Sequence, residues 1–110
     1  MLNLSRCDIR DRGAKAIQIL IERSSLRDLN LHWNKITSKG ACYLAEALKN
    51  TVTLKMLDLA WNSMGSGMEG KIGSILGEAL QLDVLLHLDI SYNKFSKKDC
   101  LDLGDKLKEN

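Results

Sequence analysis

Leucine and other apolar residues return along this chain in one pattern, which polar residues interrupt at fixed places. Three segments share the frame L-x-x-L-x-[LI]-x-x-N-x-apolar, namely LRDLNLHWNKI (26–36), LKMLDLAWNSM (54–64) and LLHLDISYNKF (85–95). The N-terminal LNLSRCDI (2–9) fits the same frame, with its first leucine absent and Cys7 in the asparagine place. Because alternate residues of an extended chain face the same side, the frame predicts short strands with one apolar face.

Each frame is followed by a segment with the apolar spacing of a helix. The four segments are 13–23, 39–50, 71–81 and 98–110. In the second segment, Ala41, Leu44, Ala45 and Leu48 recur at intervals of three and four residues, which places them on one helical face. The sequence therefore predicts four strand–helix units. The expected strands are 27–31, 55–59 and 86–90, with a first strand near 2–4.

The spacing of the asparagine place indicates that the units repeat one another. Its occupants are Cys7, Asn34, Asn62 and Asn93, which lie 27, 28 and 31 residues apart. A single strand–helix unit leaves its apolar residues uncovered, so neighbouring units must stack to bury them. We expect one continuous core that buries the strand residues of the frame. These are Leu29, Leu31, Leu57, Leu59, Leu88 and Ile90.

On these residues the chain resembles the leucine-rich-repeat family. The repeat near 28 residues, the full helices and the Asn or Cys at the ladder place are similar to the ribonuclease-inhibitor-like class. The resemblance implies an α/β solenoid, a horseshoe segment with parallel concave strands and convex helices. It covers all 110 residues as one domain, with repeats at approximately 1–25, 26–53, 54–84 and 85–110. The chain departs from the family at Asp99, which stands where Gly13 and Gly40 stand in their repeats.

The asparagine place has a physical explanation. A primary amide both donates and accepts hydrogen bonds, so Asn34, Asn62 and Asn93 can pair with buried backbone groups of neighbouring turns. A cysteine thiol fills the same volume with weaker hydrogen bonds. We therefore interpret Cys7 as a structural residue of the ladder.

The composition indicates one soluble globular domain. Apolar residues make up 45% and charged residues 27% of the chain, and sixteen basic and fourteen acidic residues leave a net charge of only +2. This balance gives no general electrostatic reason to bind nucleic acid or an anionic membrane. The three cysteines have no metal-ligand spacing, which favours reduced thiols in an intracellular, cytoplasmic protein.

A second motif points to a different function. Gly65-Ser-Gly67-Met-Glu-Gly70 spells G-x-G-x-x-G, the pattern that binds a dinucleotide pyrophosphate between a strand and a helix. The repeat frame argues against this function, because every unit has the same strand–turn–helix order and because Asn62, Ser63 and Met64 intervene between the strand and Gly65. We expect no cofactor, neither NAD nor ATP. We interpret 65–70 as a flexible connector that is more mobile than 36–40.

The polar places of the frame form columns on the concave strand face. The fifth-place column is Asn3, Asn30, Asp58 and Asp89, the seventh is Ser5, His32, Ala60 and Ser91, and the eighth is Arg6, Trp33, Trp61 and Tyr92. Neighbouring strands lie about 4.8 Å apart, so the rings of the eighth column can stack in one row. Tryptophan and tyrosine often dominate the binding energy of interfaces.

Two interpretations of the eighth column stay open, and both can hold at once. In the first, Trp33, Trp61 and Tyr92 contact a partner. In the second, the rings pack against the neighbouring repeat and are partly buried spacers.

The fifth column contains acidic residues in neighbouring repeats. Asp58 and Asp89, flanked by Asn30 and His32, are predicted to form a mildly acidic recognition strip, and a merely solvated face is the alternative. Two nearby carboxylates can also indicate acid–base catalysis, but no Ser-His-Asp arrangement and no histidine spacing for a metal completes such a site. We therefore expect neither a catalytic nor a metal site.

The resemblance implies a protein–protein interaction module, not an enzyme, that binds a protein partner through the concave strand face. An alternative is a regulatory role like that of a GTPase-activating protein with similar repeats, which acts through its strand-end loops. Another is a structural segment of a longer intracellular scaffold, with cytoskeletal or ciliary association. The sequence has no terminal cap, so we also expect strand edges at which two copies can associate edge to edge.

Overall fold

Strands and helices alternate in the computed structural model, which describes residues 1–67, 70–80 and 85–108. The strands are β1 (Leu2–Asn3), β2 (Asp28–Asn30), β3 (Met56–Asp58) and β4 (His87–Asp89), and the helices are α1 (Asp11–Arg23), α2 (Ser38–Asn50), α3 (Ile72–Leu80) and α4 (Lys97–Lys108). The strands pair in parallel in chain order, and each helix packs on the next. The predicted α/β solenoid is confirmed, although each of the three later strands is one residue shorter at both ends.

The repeat frame sets the register of the sheet. Residues at the same place of the frame pair with one another across the four strands, as Leu2, Leu29, Leu57 and Leu88 do. Backbone hydrogen bonds continue past the strand ends, from Leu31 N to Asp58 O at 2.8 Å and from Trp33 N to Ala60 O at 2.9 Å. The turns that follow the strands are therefore stacked as regularly as the strands themselves.

The core lies between the sheet and the helices. Four leucines of the repeat frame are buried as predicted, namely Leu29, Leu31, Leu57 and Leu59. Helix α2 buries the apolar face that its spacing indicates, which consists of Ala41, Leu44, Ala45 and Leu48. The expected full burial of Leu88 and Ile90 is wrong, because both are only partly buried. They belong to β4 and the turn after it, and β4 is the outermost strand of the described sheet, so no further repeat covers them there.

The asparagine ladder bonds as the sequence predicts. Asn62 Nδ2 donates to the carbonyl groups of Leu31 and Leu59, both at 3.0 Å, and its Oδ1 accepts a backbone N–H of the preceding repeat at 3.1 Å. Asn34 and Asn93 repeat this arrangement in their own turns. All three side chains are buried, so each amide satisfies backbone groups that water does not reach.

Cys7 takes the ladder place at the other outermost strand of the described sheet. Its backbone N–H donates to Asn34 Oδ1 at 3.0 Å, and its thiol donates to Ser5 O at 3.3 Å, but the residue is exposed. Cys7, Cys42 and Cys100 form no disulfide, and burial raises the pKa of the Cys42 thiol.

Within the described residues, none of the helices has the length and apolar character needed to span a membrane.

Candidate partner-binding site

The eighth-column residues share an uncommon backbone conformation. The φ angles of Arg6, Trp33, Trp61 and Tyr92 are 54°, 58°, 58° and 55°, all in the left-handed region. Large side chains are rare there, because the Cβ atom approaches the following carbonyl oxygen. After β2, β3 and β4 this conformation turns the chain so that the eighth side chain faces solvent while the next residue, an asparagine, enters the buried ladder. The sequence frame gave no sign of it.

The three rings form a continuous stack, which we call the aromatic row (Trp33, Trp61 and Tyr92). Trp33 and Trp61 have ring centroids 5.0 Å apart and planes inclined by 20°, and Trp61 and Tyr92 are 4.1 Å apart and inclined by 11°. The guanidinium of Arg6 lies 5.1 Å from the Trp33 ring, in cation–π geometry at the end of the row. The rings thus pack against their neighbours along the row, as the spacer interpretation requires.

The aromatic row also keeps a large surface in contact with water. Trp33 is 49% exposed, Trp61 42% and Tyr92 66%. Exposed apolar rings in one continuous patch are typical of interaction sites on folded proteins. The geometry therefore satisfies both interpretations of the eighth column, and contact with a partner stays a prediction.

The fifth-column residues have a structural role that the sequence reasoning missed. Oδ1 of Asp58 accepts the backbone N–H of Ala60 at 3.0 Å, and Oδ1 of Asp89 accepts that of Ser91 at 3.0 Å. In the same way, Oδ1 of Asn30 accepts the backbone N–H of His32, and Oδ1 of Asn3 accepts that of Ser5. An Asp or Asn immediately before a turn is the sequence signal that could have revealed this role.

Asp89 is the more strongly hydrogen-bonded of the two carboxylates. The Ser91 hydroxyl donates to Asp89 Oδ1 at 2.6 Å, in addition to the backbone N–H of the same residue. These two bonds stabilise the charged form and hold the pKa of Asp89 below its ordinary value. Asp89 is therefore ionised at neutral pH.

The structure brings the predicted acidic strip together. Asp58 and Asp89 are paired in register on adjacent strands, and Asn30 lies beside Asp58 in β2. His32 Nδ1 is 3.4 Å from Asp58 Oδ1, which links the seventh and fifth columns. Ala60 also belongs to the seventh column, but it is buried.

A groove of ≈ 420 Å³ runs across the strands on this face. It is lined by strand residues and by Met1, namely Met1, Asp28, Asn30, Met56, Leu57, Asp58, His87, Leu88 and Asp89. Met56 is 41% exposed and provides an apolar surface between Asp28 and His87, its register partners on the neighbouring strands. Among the described residues, no group of three or more His, Cys, Asp or Glu side chains is placed to hold a metal ion.

Basic side chains border the opposite side of the aromatic row. Lys35 Nζ is 2.8 Å from Asp8 Oδ1, and Arg10 is 3.6 Å from the same oxygen. The hydrogen bond from Lys35, supported by the charge of Arg10, lowers the pKa of Asp8. The aromatic row therefore lies between an acidic groove and a mixed, partly basic rim.

The glycine motif has a packing explanation that begins at Gly65. This residue is buried, its N–H donates to Asn93 O at 2.8 Å, and an added Cβ would lie 2.1 Å from the carbonyl oxygen of Lys94. Gly65 is thus a close contact between the third and fourth repeats, and packing explains the glycine at this position. Met68 and Glu69 of the motif lie outside the described residues, so the mobility of 65–70 stays a prediction.

The start of α3 is occupied by a carboxylate of the protein itself. Asp99 Oδ1 accepts the N–H of Gly73 at 3.1 Å, and Asp99 Oδ2 accepts the N–H of Ser96 at 3.1 Å. Asp99 is 1% exposed. In a dinucleotide site the amides at this end of the helix bind phosphate. Here the amide of Gly73 is already bonded to Asp99, the residue that stands where the first two repeats have a glycine.

Comparisons with known proteins agree with the architecture. A family model described as "Leucine Rich repeat" matches residues 2–17 and 24–45. The chain is similar to a solved structure of leiomodin-1 actin-binding site 2, with a TM-score of 0.72 and 24% identity over 98% of this chain and 62% of that one. It is also similar to a tropomodulin C-terminal domain from Caenorhabditis elegans, with a TM-score of 0.73 and 22% identity over 96% of this chain and 63% of that one. The chain thus spans less than two thirds of either structure, and the likeness is one of fold.

Proposed function

This chain belongs to the leucine-rich-repeat proteins of the ribonuclease-inhibitor-like class, and from that premise we propose that it binds a protein partner through its concave strand face and aromatic row. The observation that carries the proposal is the exposure of three stacked rings, between 42% and 66% for each residue. Folding gains little from ring surface that stays in water, whereas a partner that covers it removes that surface from water.

The backbone supports the same proposal. Glycine or asparagine fits a left-handed position with less strain than a large ring, yet the described repeats place Arg6, Trp33, Trp61 and Tyr92 there. Stacking along the row offsets part of this strain, because aromatic pairs contribute about 0.5–1.5 kcal/mol beyond their buried area. Strain that persists at an exposed site is a reason to look for function at that site.

Actin is the first partner to test, because one of the similar structures is leiomodin-1 actin-binding site 2. The experiment is a pull-down of purified actin by the immobilised domain, with affinities measured for the wild type and for a Trp33→Ala/Trp61→Ala variant. We expect the double variant to bind at least about thirtyfold more weakly, which corresponds to a combined loss of roughly 2 kcal/mol or more. A Val52→Ala/Leu101→Ala variant is the control, since it shortens two exposed apolar side chains away from the row.

If actin is not retained, the same two variants are compared in capture from a cell lysate followed by mass spectrometry. The proposal predicts at least one protein that the wild type and the control retain and the Trp33→Ala/Trp61→Ala variant loses. Identical captured sets for all three proteins would refute binding through the aromatic row. The regulatory alternative has weaker support, because Arg6, the arginine of the eighth column, lies over the Trp33 ring.

A further inference from the structure

The groove on the concave strand face has a charge opposite to that of the whole chain. The chain has a net charge of +2, whereas the groove is lined by Asp28, Asp58 and Asp89. Its described lining includes no lysine or arginine, and the residues there that carry a basic group are His87 and the N-terminal Met1. Its floor is apolar at Leu57 and Leu88, so the groove combines an apolar base with acidic walls.

Two carboxylates of the groove occupy paired positions of the sheet. Asp58 and Asp89 are directly paired on β3 and β4, and like charges in paired positions of a sheet repel each other. The turn after each strand needs only one side-chain oxygen, which Asn3 and Asn30 supply without charge. The negative charges at 58 and 89 are therefore not required by the hydrogen bonding of the turns.

We infer that the groove takes a basic segment of the protein partner, extended across the strands, with a lysine or arginine side chain between Asp58 and Asp89. This inference rests on the proposed function and names the chemistry of the partner. Opposite charge across an interface speeds association and selects the partner. The exposed Met56 side chain provides an apolar contact for the residue next to the basic one. The aromatic row borders the same face and covers the flanking part of the segment.

The chain itself suggests a variant that removes charge and keeps the fold. Asp58→Asn/Asp89→Asn retains the Oδ1 acceptor, because Asn3 and Asn30 accept the equivalent N–H in their own repeats. Glu46→Gln/Asp105→Asn is the matched control, since it removes two charges from exposed positions on α2 and α4. Circular dichroism at the assay temperature checks that all three proteins are folded, so that a change in binding reports the change in charge.

The probe is a phage-displayed library of random 12-residue peptides, selected on the wild-type domain at low ionic strength with EDTA present. We expect the selected peptides to be rich in lysine or arginine beside an apolar residue. Synthetic copies should bind Asp58→Asn/Asp89→Asn about tenfold more weakly than the wild type, with the loss mainly in the association rate. Their affinity for the control variant should change by less than about twofold, and added salt should reduce the difference between the proteins.

The outcomes separate this inference from the proposed function. Selected peptides without basic residues, an unchanged affinity for Asp58→Asn/Asp89→Asn, or no enrichment would each overturn the basic-segment inference. Peptides that lose affinity only for Trp33→Ala/Trp61→Ala would leave the aromatic row as the site and refute the groove. Peptides that lose affinity only for Asp58→Asn/Asp89→Asn would support the groove and refute the aromatic row as the anchor.

Discussion

Trp61 stacks on Tyr92 with the ring centroids 4.1 Å apart and the ring planes inclined by only 11°. This distance is close to the spacing of about 4.8 Å between neighbouring strands, so the sheet itself sets the separation of the rings. The contact to Trp33 at 5.0 Å extends the stack by one repeat. The aromatic row is thus a direct product of one sequence place repeated on parallel strands.

The contrast between a core leucine and a row tryptophan separates packing from recognition. Leu57 is buried in β3, and Leu57→Ala should lower the free energy of unfolding by about 2–5 kcal/mol. Trp61→Ala should lower it less, because the ring is 42% exposed and the alanine leaves no buried cavity of comparable size. Urea unfolding of both variants checks this. Equal losses of stability would identify Trp61 as a core spacer and remove the main support for the proposed site.

At most positions an alanine variant is more stable than a glycine variant, and the left-handed backbone at Trp61 should reverse this order. At φ 58° a Cβ atom is strained, so Trp61→Gly should be more stable than Trp61→Ala by about 1 kcal/mol. Met56 is a control in the same repeat, because it lies in regular β3 and is also partly exposed. There Met56→Gly should be less stable than Met56→Ala by about 0.5–1 kcal/mol. The same ranking at both positions would contradict the strained conformation.

Two helical glycines should respond in opposite ways to a methyl group. Gly73→Ala should destabilise the protein by about 1–3 kcal/mol or more, because its Cβ would lie 2.1 Å from the carbonyl oxygen of Asp99. Gly104 in α4 has no heavy atom within 4 Å of an added Cβ, apart from its own chain neighbours and helix backbone. Gly104→Ala should therefore stabilise the protein by about 0.5–1 kcal/mol. Thermal unfolding checks both, and tolerance of Gly73→Ala would show that the third and fourth repeats are less closely packed.

The bond between Ser91 and Asp89 should make one part of the stability depend on pH. The pKa of Asp89 in the folded protein is lowered from an ordinary value of 3.8. The ionised Asp89 carboxylate therefore stabilises the fold above pH 3.8, and this stabilisation is lost as the pH falls through the lowered pKa. Ser91→Ala should raise the pKa of Asp89 toward the ordinary value. The variant should be less stable than the wild type at neutral pH, and the difference should shrink in acid. NMR titration of the Asp89 carboxyl measures the pKa. Unfolding of both proteins at neutral and at acidic pH measures the difference in stability.

Ser5→Ala is the control for this pH dependence. The Ser5 hydroxyl donates to Asn3 Oδ1 at 2.7 Å, in the same geometry as Ser91 with Asp89. Asparagine does not titrate, so the effect of Ser5→Ala should stay constant over the same pH range. A pH-dependent effect at Ser5 would point to a general response of the turn and not to the Asp89 carboxylate.

The sequence by itself determined the repeat architecture, because the same pattern of apolar and polar residues recurs in every unit and each unit must bury its apolar residues in the same way. Buried leucines at alternate places, helical stripes and the asparagine ladder each follow from local pattern and from the need to satisfy buried backbone groups. Leu29 and Leu57 are buried, Asn62 bonds as expected, and Trp33, Trp61 and Tyr92 fall in one row. These results depend only on position within the repeat.

The tertiary structure decided the features that depend on contact between particular repeats. Close packing at Gly65 and Gly73, and the burial of Asp99 against the start of α3, arise where the third repeat meets the fourth. The incomplete burial of Leu88 follows from its place on the outermost strand, which the frame treats like every other strand. The physical reason is that a repeat frame specifies which way a side chain faces, whereas burial and close contact also depend on what the neighbouring repeat places there.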